Sequence, residues 1–194
     1  MQSLKINSVL SKIRATILFK RLALALIILS CARVIFWLFN KNQFPWSGIV
    51  EASQILFWGA YFDFITVFYC FSPFILLHLI PGKWFQHSLV QKGLRLFFGG
   101  ILFLLLILTF IDAGYFPFSK TRLGIELFQM ATSEEVSILS YIADYWFFVP
   151  IILILTYISL KLYPKKLNSN SVSPILETII NIAILALFLS LIHI

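Results

Sequence analysis

Charge is what this chain has least of. Only 12% of its 194 residues are Asp, Glu, Lys or Arg, about half of the roughly 25% usual in a soluble domain. Acid is scarcer still, with eight Asp and Glu against fifteen Lys and Arg. Cysteine is limited to Cys31 and Cys70, with no Cys-x-x-Cys pair and no Cys/His cluster, which leaves a zinc site without support. Both cysteines lie in apolar runs and read as small buried hydrophobes, not as a disulfide. No Gly-x-Ser-x-Gly, Walker loop, His-Glu-x-x-His or carboxylate dyad is present, so no complete catalytic motif is in view. His78, His87 and His193 are scattered without metal-ligand spacing and read as packing or interface residues.

What the chain has instead is apolar bulk. Hydrophobic residues make up 60% of it, 21 of them Phe, and the mean hydropathy is +0.95. That leaves too little polar surface to cover a water-soluble globule, and a bilayer is the solvent that suits it. A net charge of +7 invites a nucleic-acid reading. The basic residues argue against it, because they cluster at the ends of apolar runs, as membrane topology requires. Anionic lipid of the inner leaflet is the partner this pattern favours, at about 1 kcal/mol per nearby Lys or Arg.

The fold expected is an all-α membrane protein of five transmembrane helices, at about 22–39, 52–80, 96–111, 145–160 and 175–194. A basic cytoplasmic leader, 1–21, precedes them. A lipoprotein cleavage at Cys31 is disfavoured, because Leu29 is large and the apolar run continues through Phe39. Pro73 is placed to kink the second span. Gly99 and Gly100 would let a neighbour approach the third. Pro150 and Pro174 fall in the first turns of the fourth and fifth, where a missing N–H costs least. On alternate sides of this arrangement the connecting segments hold 11 and 3 Lys and Arg. The positive-inside rule then puts the N-terminus in the cytoplasm and, with five spans, the C-terminus outside.

The longest stretch without a membrane-grade apolar run is Asp112 to Tyr145, which holds five of the eight acids. It is the outer segment in this topology. Short interfacial helices are expected in it, at about 121–130 and from about Ser133 to Ala143, the second opened by a Thr132/Glu135 capping box. Two ionisable residues lie at depth: Arg33 in the first span and Asp63 in the second. A lone charge in hydrocarbon is costly. The two are expected to face each other, or Asp63 to line an outward-open cleft. Either a helix–helix staple or a grip on a lipid headgroup would follow.

Three sequence elements resemble one family. Gly59-Ala-Tyr-Phe-Asp63-Phe is similar to its Gly/Arg-Phe-Asp-Leu element, with Tyr61 where an Arg often precedes Phe-Asp. Asp112-Ala-Gly-Tyr115-Phe-Pro-Phe-Ser-Lys-Thr-Arg122 resembles its Asp-x-x-Tyr-Phe-x-Phe-x-x-x-Arg element, and Asp144-Tyr145-Trp146 is a third match. The family is the lipoteichoic acid synthase-like group, and the resemblance covers about residues 20–194. It implies a five-span membrane domain in the bacterial cytoplasmic (inner) membrane. It also implies that chemistry belongs to a separate sulfatase-type domain of the alkaline phosphatase superfamily. There a divalent metal activates a Thr for phosphoglycerol or phosphoethanolamine-type transfer, or for sulfate ester cleavage. No catalytic residue, metal or cofactor is expected in these 194 residues. Arg33, Asp63, Asp112, Tyr115, Arg122 and Asp144 are the candidates for headgroup binding or helix pairing. The alternative is a stand-alone polytopic scaffold that binds an envelope partner through its outer loop.

Overall fold

The computed structural model describes residues 2–43, 49–80, 85, 87–119 and 145–164. Every regular element among them is helical: α1 (Gln2–Phe39), a 3-10 turn (Lys41–Gln43), α2 (Ile49–Cys70), α3 (Ser72–Leu79), α4 (Ser88–Ser119) and α5 (Phe148–Leu162).

Composition alone does not choose a face for α1, because nearly every side chain after Arg21 is apolar. The structure chooses one. Leu18, Leu22, Ala25, Leu29, Ala32 and Phe36 are all buried. Their spacing alternates between four and three residues, the seam along which two helices interlock side chains. Ala25 and Ala32 have no exposed surface, and such small side chains let neighbouring helices close in. The facing surface is aromatic. Phe71 and Phe74 pack on Phe98 of α4 with ring centroids 5.3 and 5.8 Å apart. Leu102, Leu106 and Phe110 continue the core along α4.

Contacts at the two ends fix the helix directions. At one end, Asn40 after α1 donates to the carbonyl of Ala113 late in α4, at 3.0 Å. Phe39 packs on Phe148 at the start of α5, 5.1 Å between centroids. At the other end, Arg21 in α1 reaches His78 in α3, Gln91 in α4 and Pro164 after α5. The helices therefore run up, down, up and down. That order gathers Lys20, Arg21, Lys92, Arg95 and Lys161 at one end, with no acid among the described residues there.

The outside of the bundle is greasy. Phe57, Trp58, Tyr61 and Phe62 on α2 and Leu96 and Leu104 on α4 are at least half exposed. A surface of this kind is stable against lipid tails. Ala15–Phe39 and Ser88–Pro117 are long and apolar enough to cross a membrane. Phe57–Cys70 and Ser72–His78 make a third crossing if the bent pair acts as one span. The 15 residues of α5 extend about 22 Å at roughly 1.5 Å per residue, short of the roughly 30 Å hydrocarbon core.

Several expectations change. Among the described residues there are two such spans, or up to three, not five; residues 175–194 lie outside the described set. The first begins at Ala15 and not at Leu22: α1 is continuous from Gln2, and Ala15 to Leu18 and Arg21 are buried. The 52–80 span is two helices bent by 59°. Pro73, in the first turn of α3, has no N–H to continue the ladder and its ring crowds the preceding turn. The third span runs on past Ile111, so Asp112 and Tyr115 sit on a helix and not in a connector. Cys31 and Cys70 face outward, not inward. Gly99 packs against Leu160 of α5, whereas a Cβ on Gly100 would meet nothing within 4 Å. The interfacial helices expected near 121–130 and 133–143 lie outside the described residues.

Candidate functional site

Two polar clusters interrupt the apolar interior, one toward each end. Toward the Asn40 end, Arg33 on α1 meets Asp63 on α2. The Arg33 Nε–H donates to Asp63 Oδ2 at 2.8 Å, and Nη2 donates to Oδ1. This is the parallel two-bond geometry that the guanidinium fork and a carboxylate share. The pair is mostly shielded, with side-chain exposures of 16% and 10%. Gly59, one helical turn before Asp63, makes room for it. A Cβ there would stand 2.5 Å from Arg33 Cδ and 2.9 Å from Nε. So the glycine of the Gly59-Ala-Tyr-Phe-Asp63 element has a packing reason: the arginine lies across its backbone.

The second cluster centres on Arg21, whose surface is entirely buried. Nη1 lies 2.7 Å from His78 Nε2, and Nη2 donates to Gln91 Oε1 at 2.7 Å. Nη2 also donates to the Pro164 carbonyl at 3.1 Å, and Nε reaches that same oxygen at 3.4 Å. The guanidinium lies 4.3 Å from the centroid of the Tyr163 ring and 5.9 Å from that of Phe85. An arginine can only donate. His78 Nε2 must therefore accept, which places the ring proton on Nδ1, where it is donated to the Phe74 carbonyl at 2.7 Å. The hub thus holds a neutral His78 of fixed tautomer. Gln91 is fixed too, since its Nε2 donates to the Phe85 carbonyl at 2.6 Å.

No carboxylate pairs with Arg21 among the described residues. A buried cation normally needs one. Here neutral acceptors and two ring faces replace it, so the cluster keeps a net positive charge at the cation-rich end. Tyr163 is buried, and its hydroxyl has no partner among the described residues. Burial pushes its phenol up to about 12, although Arg21 and Arg95 pull the other way. Arg95 lies close by and donates to the Leu160 carbonyl at 2.8 Å.

Of the residues singled out in the sequence, Arg33 and Asp63 are brought together. Asp112 and Tyr115 share one face of α4, one turn apart and partly exposed. Arg122 and Asp144 lie outside the described residues. The Arg21 hub was not anticipated: Arg21 reads as part of a basic leader and His78 as scattered. The available signal was a histidine and a glutamine near apolar-run boundaries, but partners 57 and 70 residues apart in the chain carry no local spacing. No His, Cys, Asp or Glu side chains gather in threes to hold a metal among the described residues.

Chemically, both clusters are closed. The Asp63 oxygens are occupied by Arg33, and each nitrogen of Arg21 points at a protein acceptor. This geometry fastens helices together; it does not present a free nucleophile, acid or base. No family profile, no curated protein and no solved structure matches this chain.

Proposed function

We propose that this chain is a membrane-embedded anchor domain of the lipoteichoic acid synthase-like kind, seated in the bacterial cytoplasmic membrane. In this reading residues 22–194 contribute five crossings, the N-terminus is cytoplasmic and the C-terminus lies outside. The domain positions lipid for a sulfatase-type catalytic domain acting in cis or in trans, which supplies the divalent metal and the phospho-group transfer or sulfatase chemistry. One observation carries the orientation: the up-down order collects five Lys and Arg side chains at one end, with no acid among the described residues there. Anionic inner-leaflet lipid favours that end on the cytoplasmic side.

The outer end carries the recognition elements. Asp112 and Tyr115 project from the last turns of α4, next in sequence to Arg122 and the outer segment through Asp144. Because Asp63 is already paired with Arg33, it serves here as a staple, and headgroup contact falls to the Asp112–Arg122 element. A phosphatidylglycerol bearing a photoreactive headgroup tests this in native membranes. Labelled peptides spanning 112–122 support it; labelling that avoids this element contradicts it. The purified chain alone is expected to show no turnover of such a lipid. A stand-alone scaffold would bind an envelope protein through the same segment and leave the lipid unlabelled.

A further inference from the structure

The face of α1 that turns away from the core is unpartnered among the described residues. Leu26, Ile27, Ser30, Cys31, Val34 and Ile35 line a groove of about 470 Å³ on it, almost wholly apolar. We propose that the apolar segment 174–194 of this same chain packs in that groove, parallel to α1. The proposal rests on the reading of 174–194 as a fifth crossing and adds which helix it docks on.

Three observations point to this occupant. First, the last described turn lies close by. Arg21 of α1 holds the carbonyl of Pro164, which sets residue 164 one to two turns below Leu26 along α1. Second, the length fits. The nine residues 165–173 are polar or basic enough for a turn at the surface, and Pro174 to Ile194 is 21 residues, about 31 Å of helix at roughly 1.5 Å per residue. The α1 span Ala15–Phe39 is 25 residues. Third, charge and shape complement each other. Glu177, one of only eight acids in the chain, falls near the start of the segment, and the proposed parallel register would bring it near exposed Lys20 on α1. Read as a helix, the segment puts Ala183, Ala186 and Ser190 on one side. The groove carries Ser30 and Cys31 at its middle. Small residues facing small residues are how helices approach closely where lipid supplies no hydrophobic drive.

Cys31 is itself the probe, since it is free and outward-facing. In the full-length Cys70→Ser background, single substitutions Ala186→Cys, Ser190→Cys, Ile184→Cys and Phe188→Cys are oxidised with copper phenanthroline in native membranes. Peptide mass spectrometry reads the disulfide. Intramolecular bonds from Cys31 to positions 186 and 190, with at least tenfold less from 184 and 188, are expected. Equal yields from both sides, no bond from any position, or bonds only between two chains would overturn the docking. An Ile194→Cys variant in the Cys31→Ser, Cys70→Ser background separates the two possible failures. Labelling of residue 194 from outside intact cells without cross-linking sinks the docking and leaves the fifth crossing standing. No labelling from outside sinks the crossing itself.

Discussion

Arg21 and His78, 57 residues apart in sequence, meet at 2.7 Å in the buried interior, and the arginine forces the histidine to accept. The contact closes a clamp on two further elements, because the same guanidinium holds Gln91 of α4 and the carbonyl of Pro164 after α5. Arg21→Ala would take the donor away from buried His78 and from half-buried Gln91 and Pro164, and a buried acceptor that loses its donor costs about 1–3 kcal/mol. We expect it to lower the unfolding midpoint in detergent by more than any other single truncation in the bundle. Arg21→Lys keeps the charge but has no fork to span several acceptors, and should fall between the two. A midpoint for Arg21→Ala within error of the parent would contradict the clamp.

The Arg33–Asp63 pair gives a non-additive test. Gly59→Ala pushes a methyl into the arginine at 2.5 Å, and the arginine cannot yield without losing Asp63. Destabilisation of about 1–3 kcal/mol is expected, the range for overpacking. In a variant that already lacks the ion pair, Arg33→Met/Asp63→Leu, the flexible methionine can yield, so the added Gly59→Ala should cost less than half as much. Equal costs in the two backgrounds would show that Gly59 does not pack through Arg33.

Gly99 and Gly100 are adjacent in sequence and opposite in consequence. A Cβ on Gly99 would stand 2.8 Å from Leu160 Cδ2, whereas Gly100 faces open space. Gly99→Val should loosen α4 from α5 and lower thermal stability, and Gly100→Val should leave it unchanged within about 0.5 kcal/mol, the usual scatter of surface substitutions. Equal effects would contradict the packing of α5 on α4.

Tyr163 separates ring from hydroxyl. Its hydroxyl is buried and makes no hydrogen bond among the described residues, so Tyr163→Phe should be neutral or stabilising, since it removes an unsatisfied polar group. Tyr163→Ala deletes the ring that lies 4.3 Å from the Arg21 guanidinium and 5.1 Å from Phe98. It should cost about 3–5 kcal/mol, as large aromatic truncations do. With the phenol pushed up to about 12, a difference ultraviolet titration of parent against Tyr163→Phe should show no ionisation of this residue below pH 11. Ionisation near the ordinary tyrosine value would mean the ring is exposed.

The sequence makes the all-helical, membrane-seeking character plain, because low charge and long apolar runs act through composition alone. It also makes the Arg33–Asp63 pairing legible: two charges in hydrocarbon have few partners to choose from. The bend at Ser72 was signalled by Pro73. Other features were hidden for physical reasons. The seam of α1 is invisible where Leu22 and Ile27 are equally greasy, since hydropathy has no period when every position is apolar. Arg21 looked like one more headgroup-seeking cation among Lys20 and Lys12, and only tertiary contact distinguishes it. The helix of the fourth expected span, α5, starts at Phe148 and not at Tyr145, because Tyr145–Phe147 form a turn ahead of it. The end of the third expected span is hidden as well, because α4 carries Asp112 and Pro117 without ending.

The most direct test of the membrane bundle is sidedness. Gln43→Cys, in the turn after α1, and His87→Cys, just before α4, are placed singly in a Cys31→Ser, Cys70→Ser background and exposed to a membrane-impermeant maleimide on intact cells. Gln43→Cys is expected to label at once and His87→Cys only after the membrane is opened. Labelling of both from the same side, or the reverse order, would contradict the account.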